Sequence, residues 1–294
     1  MRDMERKVIA GETFDEERAL YALRDADIRH CRFDGPADGE SALKEGQDFR
    51  VENSYFNLRY PFWHDHRIAI HGCELTPLCR AALWYTDHAE ITNTKLHGIK
   101  ALRECSDITL QNCDILSPEF GWSVKNCRME DGKAESEYFM MRSENLRLKN
   151  VHFTGKYSFQ YVKNAVMENC VFHTKDAFWH SENITVIDSE VNGEYLGWYS
   201  DHLTLIRCRI TGTQPLCYCK NLTLVDCEMV ETDLAFERSD VQATLTAPID
   251  SIKNPHFGSI TVPRAGAVIL DEPVAMERRC VILETEKQER DNRT

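Results

Sequence analysis

The stretch Ile184-Thr-Val186-Ile-Asp188-Ser189-Glu-Val191 decides the fold, because it returns. Nineteen residues on stands Leu203-Thr-Leu205-Ile-Arg207-Cys208-Arg-Ile210, and nineteen further Leu222-Thr-Leu224-Val-Asp226-Cys227-Glu-Met229. Upstream copies run from Ala26, Phe49, Ile68, Ala89, Ile108, Leu146 and Ala165, with a degenerate one from Trp122 to Met129. Their fifth residues fall at 30, 53, 72, 93, 112, 126, 150, 169, 188, 207 and 226. Internal repeats of this length mean stacked units that bury their apolar faces against one another. The steps of 14 and 24 around residue 126 mark 116–139 as one irregular pair of coils.

Each copy reads apolar-x-apolar-x-polar-small-x-apolar. The first pair alternates with period two, which is a strand. The polar residue then shifts the phase, giving strand, bend and second strand. Helical solenoids need a 3.6-residue period, pentapeptide helices an apolar residue every fifth position, and left-handed hexapeptide solenoids a period of 18 in three equal parts. None fits. The expected fold is all-β: a single-stranded right-handed parallel β-helix of about 19 residues per coil.

The ends need covering, because an open coil exposes strand edges. Phe14 to Leu23 reads as a short amphipathic helix, so residues 1–25 form an N-terminal helical cap, 26–245 the coils, 246–283 a small C-terminal β cap and 284–294 a charged tail, all in one domain. Asn145, Asn164, Asn183 and Asn221 share one corner slot with His88, Asp107 and His202. Asparagine tolerates left-handed backbone and can bond its equivalents along a stack.

The chain has 294 residues, 42% of them hydrophobic, and a net charge of −13. That charge argues against nucleic acid and against an anionic membrane surface. No run is long and apolar enough to span a bilayer, and Met1 to Leu20 holds no signal-peptide core, so a cytoplasmic location is expected. Twelve cysteines are many. Seven of them, Cys31, Cys73, Cys113, Cys127, Cys170, Cys208 and Cys227, fall in the small inward slot after the bend, as buried thiols. Cys217-x-Cys219, and Cys73 with Cys79, lack the paired histidines of a zinc site. No metal and no cofactor is expected.

On a coil stack a site shows as a column of matching residues about 4.8 Å apart. An apolar column, Phe62, Leu83, Leu102, Met140, Phe159, Phe178 and Leu216, points inward. Next to it run Trp63, Trp84, Arg103, Met141, Gln160, Trp179 and Trp198, which alternation turns outward. Then come His64, Tyr85, Glu104, Arg142, Tyr161, His180, Tyr199 and Tyr218, placed at the edge of the face by ending the strand there. Trp63, His64, Trp84, Tyr85, Trp179, Trp198, Tyr199, Tyr218 and Glu119 are candidate ligand-binding residues. An imidazole and a phenol one coil apart suit acid–base work near neutral pH, so Glu104, Arg142, Tyr161 and His180 are the candidate catalytic set. Glu119 and Asp176 are the nearest further carboxylates. The segment Ser117 to Trp122 reads as an insert beside Glu104, and inserts in solenoids tend to line binding faces.

Three phrases, Glu16-Glu-Arg-Ala-Leu-Tyr21, Gly39-Glu-Ser-Ala-Leu-Lys-Glu45 and Ser251-Ile-Lys-Asn-Pro255 followed by Gly258, resemble a microbial family catalogued as domain of unknown function 3737. The resemblance covers nearly the whole chain and implies a single-domain, pectin-lyase-like β-helix. It brings no activity and no catalytic residues. The expected function is binding of a sugar-like or small polar ligand on the aromatic face, with processing of that ligand as an extension. The alternative is a non-enzymatic scaffold whose face contacts a partner or a second copy, as a homo-oligomer.

Overall fold

The computed structural model describes residues 6–271 and 279–286. The chain forms two compact units, Met1–Arg147 and Leu148–Thr294. Both are built from coils of strand that pair with the next coil in parallel.

In the first unit the long strands Lys7–Ala10, Arg24–Arg29, Gln47–Glu52, His66–His71, Asp87–Thr92, Ser106–Gln111 and Lys125–Glu130 lie side by side. Short strands such as Arg32–Phe33, Tyr55–Phe56, Glu74–Leu75 and Lys95–His97 make a second ladder. Phe62–Trp63, Leu83–Trp84 and Leu102–Arg103 make a third. In the second unit the long strands are Lys163–Glu168, Glu182–Ile187, Asp201–Ile206, Leu222–Met229, Asp240–Leu245, Phe257–Val262 and Arg279–Glu284. Partners such as Ala89 with Ile108 and Ile184 with Leu203 differ by 19 in number, which is the coil.

The alternation seen in the sequence is the alternation of burial. Ile184 and Val186 are buried while Thr185 and Ile187 are half-buried. The interior is filled by stacked like residues: Phe33 lies 5.1 Å from Phe14 and 4.4 Å from Phe56. In the second unit Phe159, Phe172 and Phe178 pack together within 6.4 Å. Each fully buried phenylalanine adds a large apolar area to the core.

The corners are made by left-handed residues. The bend slot holds Asn53, Asn93, Asn112 and Asn169 at φ between 47° and 53°. Their side chains bond along the stack, as from Asn112 to Asn93 (2.6 Å) and from Asn169 to Asn150 (2.7 Å). The other corner repeats this from Asn145 to Asn126 (2.9 Å) and from Asn183 to Asn164 (3.2 Å).

The slot after the bend explains its own composition. Ser54 Oγ donates to the carbonyl of Glu52 and accepts the N–H of Cys31 in the preceding coil. Thr94 does the same with Thr92 and Cys73, and Ser189 with Ile187 and Cys170. Cys73, Cys113, Cys170, Cys208 and Cys227 each turn the thiol to the carbonyl two residues back. The bend leaves backbone groups that a small side chain with one donor and one acceptor satisfies, so Ser, Thr and Cys interchange there.

Several expectations are corrected. Phe14 to Leu23 is not a helix: Arg18, Leu20 and Ala22 give their N–H groups to Glu40, Ala42 and Lys44 of the next coil instead of to their own turn. Coil strands therefore start at Lys7. The region 116–139 is regular, with the bend at Asp131 (φ 52°), 19 residues from Asn112. Asn126-Cys127 imitates the bend but lies in a long strand, where Cys127 pairs with Ile108, so six cysteines share the slot and not seven. Ser117 to Trp122 is accordingly no insert; Glu119–Phe120 is a strand paired with Tyr138–Phe139. Past residue 245, Phe257–Val262 still pairs in parallel with Asp240–Leu245. The expected tail opens inside the strand Arg279–Glu284, and residues 287–294 lie outside the described residues.

Candidate ligand-binding face

The His/Tyr column projects outward for a reason that alternation does not capture. His64, Tyr85, Glu104, Ser123, Arg142, Tyr161, His180, Tyr199 and Tyr218 all have φ between 49° and 59°. A left-handed residue turns the chain, so the side chain after an outward tryptophan also points outward. Such residues cost local energy that the stacked neighbours must outweigh.

In the second unit the rings of this column form a ladder. Tyr161 and His180 are 5.1 Å apart and 8° from parallel, His180 and Tyr199 5.0 Å and 8°, Tyr199 and Tyr218 4.9 Å and 14°. Beside it Trp179 and Trp198 stack at 5.4 Å and 6°. Their indole N–H groups turn back to the carbonyls of Tyr195 (2.6 Å) and Gln214 (2.8 Å), and Gln160 bonds the carbonyl of Asp176 in the same way. Tyr161 is 44% exposed and Tyr199 47%. Burial, with Glu237 nearby, pushes the Tyr218 hydroxyl up, so it stays a donor at neutral pH. Burial also raises the Asp176 carboxyl.

In the first unit the same slots carry a different chemistry. His64 and Tyr85 stack at 4.9 Å, and Trp63 meets Trp84 edge to face at 5.3 Å. Arg103 is held between two indoles, with Cζ 5.1 Å from the ring of Trp84 and 4.9 Å from that of Trp122. Glu104 lies 3.5 Å and Glu119 3.6 Å from its guanidinium, and Lys100 is 3.9 Å from Glu119. Trp122 and Ser123, which the misplaced bend hid, belong to the two outward columns: Arg103 bridges Trp122, and the Glu104 N–H bonds the Trp122 carbonyl.

The candidate catalytic residues thus share one slot and divide between the units. Tyr161 and His180 are in ring contact in the second. In the first, Glu104 and Arg142 stand two coils apart with Ser123 between them, about 10 Å by strand spacing. Glu119 belongs to an ion cluster with Arg103 and Lys100.

Fold and face together define a parallel β-solenoid with an external aromatic corner column. The chain belongs to the family described as protein of unknown function (DUF3737), which it matches over residues 7–283. No curated protein matches the sequence. Among solved structures it is similar to HetL, a pentapeptide repeat protein from the cyanobacterium Nostoc sp. strain PCC 7120, at 11% identity over 75% of this chain and 92% of that one, with a TM-score of 0.31. It is similar to PfbA, a surface adhesin of Streptococcus pneumoniae, at 9% identity over 86% and 75%, with a TM-score of 0.39. It is also similar to the tailspike of E. coli bacteriophage HK620, solved with a hexasaccharide, at 10% identity over 90% and 60%, with a TM-score of 0.43. None of these likenesses bears on what this chain binds. No helix among the described residues is long and apolar enough to cross a membrane.

Proposed function

We propose that the corner column of the second unit binds an extended polyhydroxylated ligand, a linear saccharide laid along the stack of coils. The observation that carries this is the ladder of Tyr161, His180, Tyr199 and Tyr218, with ring centroids 4.9–5.1 Å apart. Because the rings face one another, their flat surfaces are occupied and their edges are offered. The ligand therefore meets a row of phenol and imidazole tips, one per coil, at a spacing comparable with one sugar ring of an extended chain. Recognition is by hydrogen bonds to hydroxyls, with Trp179 and Trp198 supplying apolar contact at the side.

The reading is of binding and not of turnover. A pair of carboxylates suited to glycoside hydrolysis would have to be held about 5–9.5 Å apart and free to act. Glu119 is instead drawn to Arg103 and Lys100.

The test is calorimetric titration of the full chain with neutral linear oligosaccharides of increasing length. Affinity is expected to rise with length up to about four sugar units and to fall about three- to tenfold in Tyr161→Phe/Tyr199→Phe, which keeps the rings and removes the tips. Trp179→Ala/His180→Ala is expected to abolish binding with the far-UV circular dichroism unchanged. Absence of any saccharide binding, with a dimer in light scattering that Tyr199→Ala dissolves, supports the scaffold reading instead.

A further inference from the structure

We propose that His66, Asp87 and His88 form a binding site for a divalent first-row transition ion, zinc by chemical class. The site lies in the first unit and is separate from the ring ladder of the second. His66 opens the strand His66–His71, Asp87 opens the next long strand, and the two are register partners. His88 follows at φ 51°, a left-handed corner that swings its imidazole back beside Asp87. His66 Nδ1 contacts Asp87 Oδ1, and His88 Nδ1 lies 2.9 Å from the same oxygen. The two imidazoles meet edge to face at 5.4 Å. All three donor atoms fall within 4.8 Å of one another.

Two neutral imidazoles and one carboxylate are a donor set that zinc and its neighbours favour, at metal–ligand distances near 2.0–2.2 Å. Without an ion, each ring nitrogen needs its proton to reach the carboxylate. With an ion, each neutral ring carries its proton on Nε2, and the two Nδ1 lone pairs point to the region the carboxylate oxygen already faces. Ligand side chains are between 37% and 58% exposed, so water completes the coordination.

The surroundings are favourable to a dication. Arg67, the nearest cation on the same strand as His66, is turned to Asp48 in a bidentate pair at 2.6 and 2.7 Å. Asp107 occupies the corner after His88 and accepts a neutral Asn126 amide, at 2.9 Å. Gln47 and Ser106 flank the ligands as register partners of His66 and Asp87. An ion here ties two successive coils across the corner.

The second unit supplies an internal control. Asp201 and His202 repeat the Asp87-His88 pair, with Nδ1 2.8 Å from the carboxylate. Glu182, and not histidine, is the register partner of Asp201.

The experiment is titration of the intact chain with zinc chloride in a calorimeter, and with cobalt chloride in a visible spectrometer. One zinc per chain is expected, with a cobalt spectrum of nitrogen and oxygen ligands and no thiolate charge-transfer band. His66→Gln and His88→Asn are expected to weaken zinc about tenfold or more. Asparagine suits the left-handed corner, so His88→Asn keeps the fold. His202→Asn is expected to change nothing. No zinc uptake by the wild-type chain, uptake unchanged in both His66→Gln and His88→Asn, or a thiolate band in cobalt would overturn the proposal.

Discussion

His180 and Tyr199 stack with their ring centroids 5.0 Å apart and their planes 8° from parallel. Each ring sits on a left-handed residue one coil from the next, at φ 52° and 58°. Backbone strain at the corner and ring contact outside it are therefore two sides of one arrangement. Replacing Tyr199 with alanine removes the contacts to His180 and Tyr218 while keeping the strain. The expected cost is about 1–3 kcal/mol, read as a lower urea midpoint with an unchanged slope.

Asp65 is 1% exposed and stands in an inward slot that holds Thr86 and Cys105 in the following coils. One carboxylate oxygen accepts the Gly46 N–H at 2.7 Å, and the other has no hydrogen-bond partner among the described residues. Burial drives its pKa well above the ordinary carboxyl range. The folded chain thus holds the proton after the unfolded chain has lost it, so the stability this group allows is complete below pH of about 4 and is lost as pH rises toward the folded value. Asp65→Asn should match the wild type in thermal melts at acid pH and exceed it at neutral pH. Equal melting temperatures at both would contradict this.

Gly193 has φ 147°, and a Cβ there would stand 1.6 Å from the Thr174 carbonyl oxygen in the preceding coil. That contact is backbone on both sides and cannot be relieved by a rotamer. Gly193→Ala is expected to cost about 3 kcal/mol or more, and to appear as loss of the cooperative thermal transition at lower temperature.

The cysteines should be nearly silent to reagents. All twelve are free thiols, and all but Cys280 are buried. Burial pushes Cys73 up to about 11, Cys105 to about 12 and Cys280 to about 11. Since the thiolate is the nucleophile, at most one thiol should react with a disulfide reagent at pH 8 in the native chain, against twelve in guanidinium. Fast reaction of several native thiols would count against the packing described.

The sequence made the period, the inward columns and the outward columns except Trp122 and Ser123 legible, because alternation and a 19-residue repeat leave a direct trace. It hid the direction of the corner residues. Tyrosine, glutamate and arginine are uncommon at positive φ, so nothing in Tyr85 or Glu104 announces a left-handed turn. It also misplaced one bend, since Asn126-Cys127 copies the pair Asn112-Cys113 while the true bend is Asp131-Gly132. The His66, Asp87 and His88 cluster left no spacing signature, because its members come from two coils and two columns. Cysteine in the slot after the bend read as a small apolar filler, whereas its thiol takes the place of a hydroxyl.

The matching of each coil to its neighbour at nineteen residues has a consequence for how such a chain can change length. One residue added within a long strand would turn every following side chain of that strand to the opposite face, its core residues to solvent. A whole coil, by contrast, brings its own strands, its own corner and its own ring. The outer face can therefore grow or shrink in whole steps, so that its length is set by counting coils.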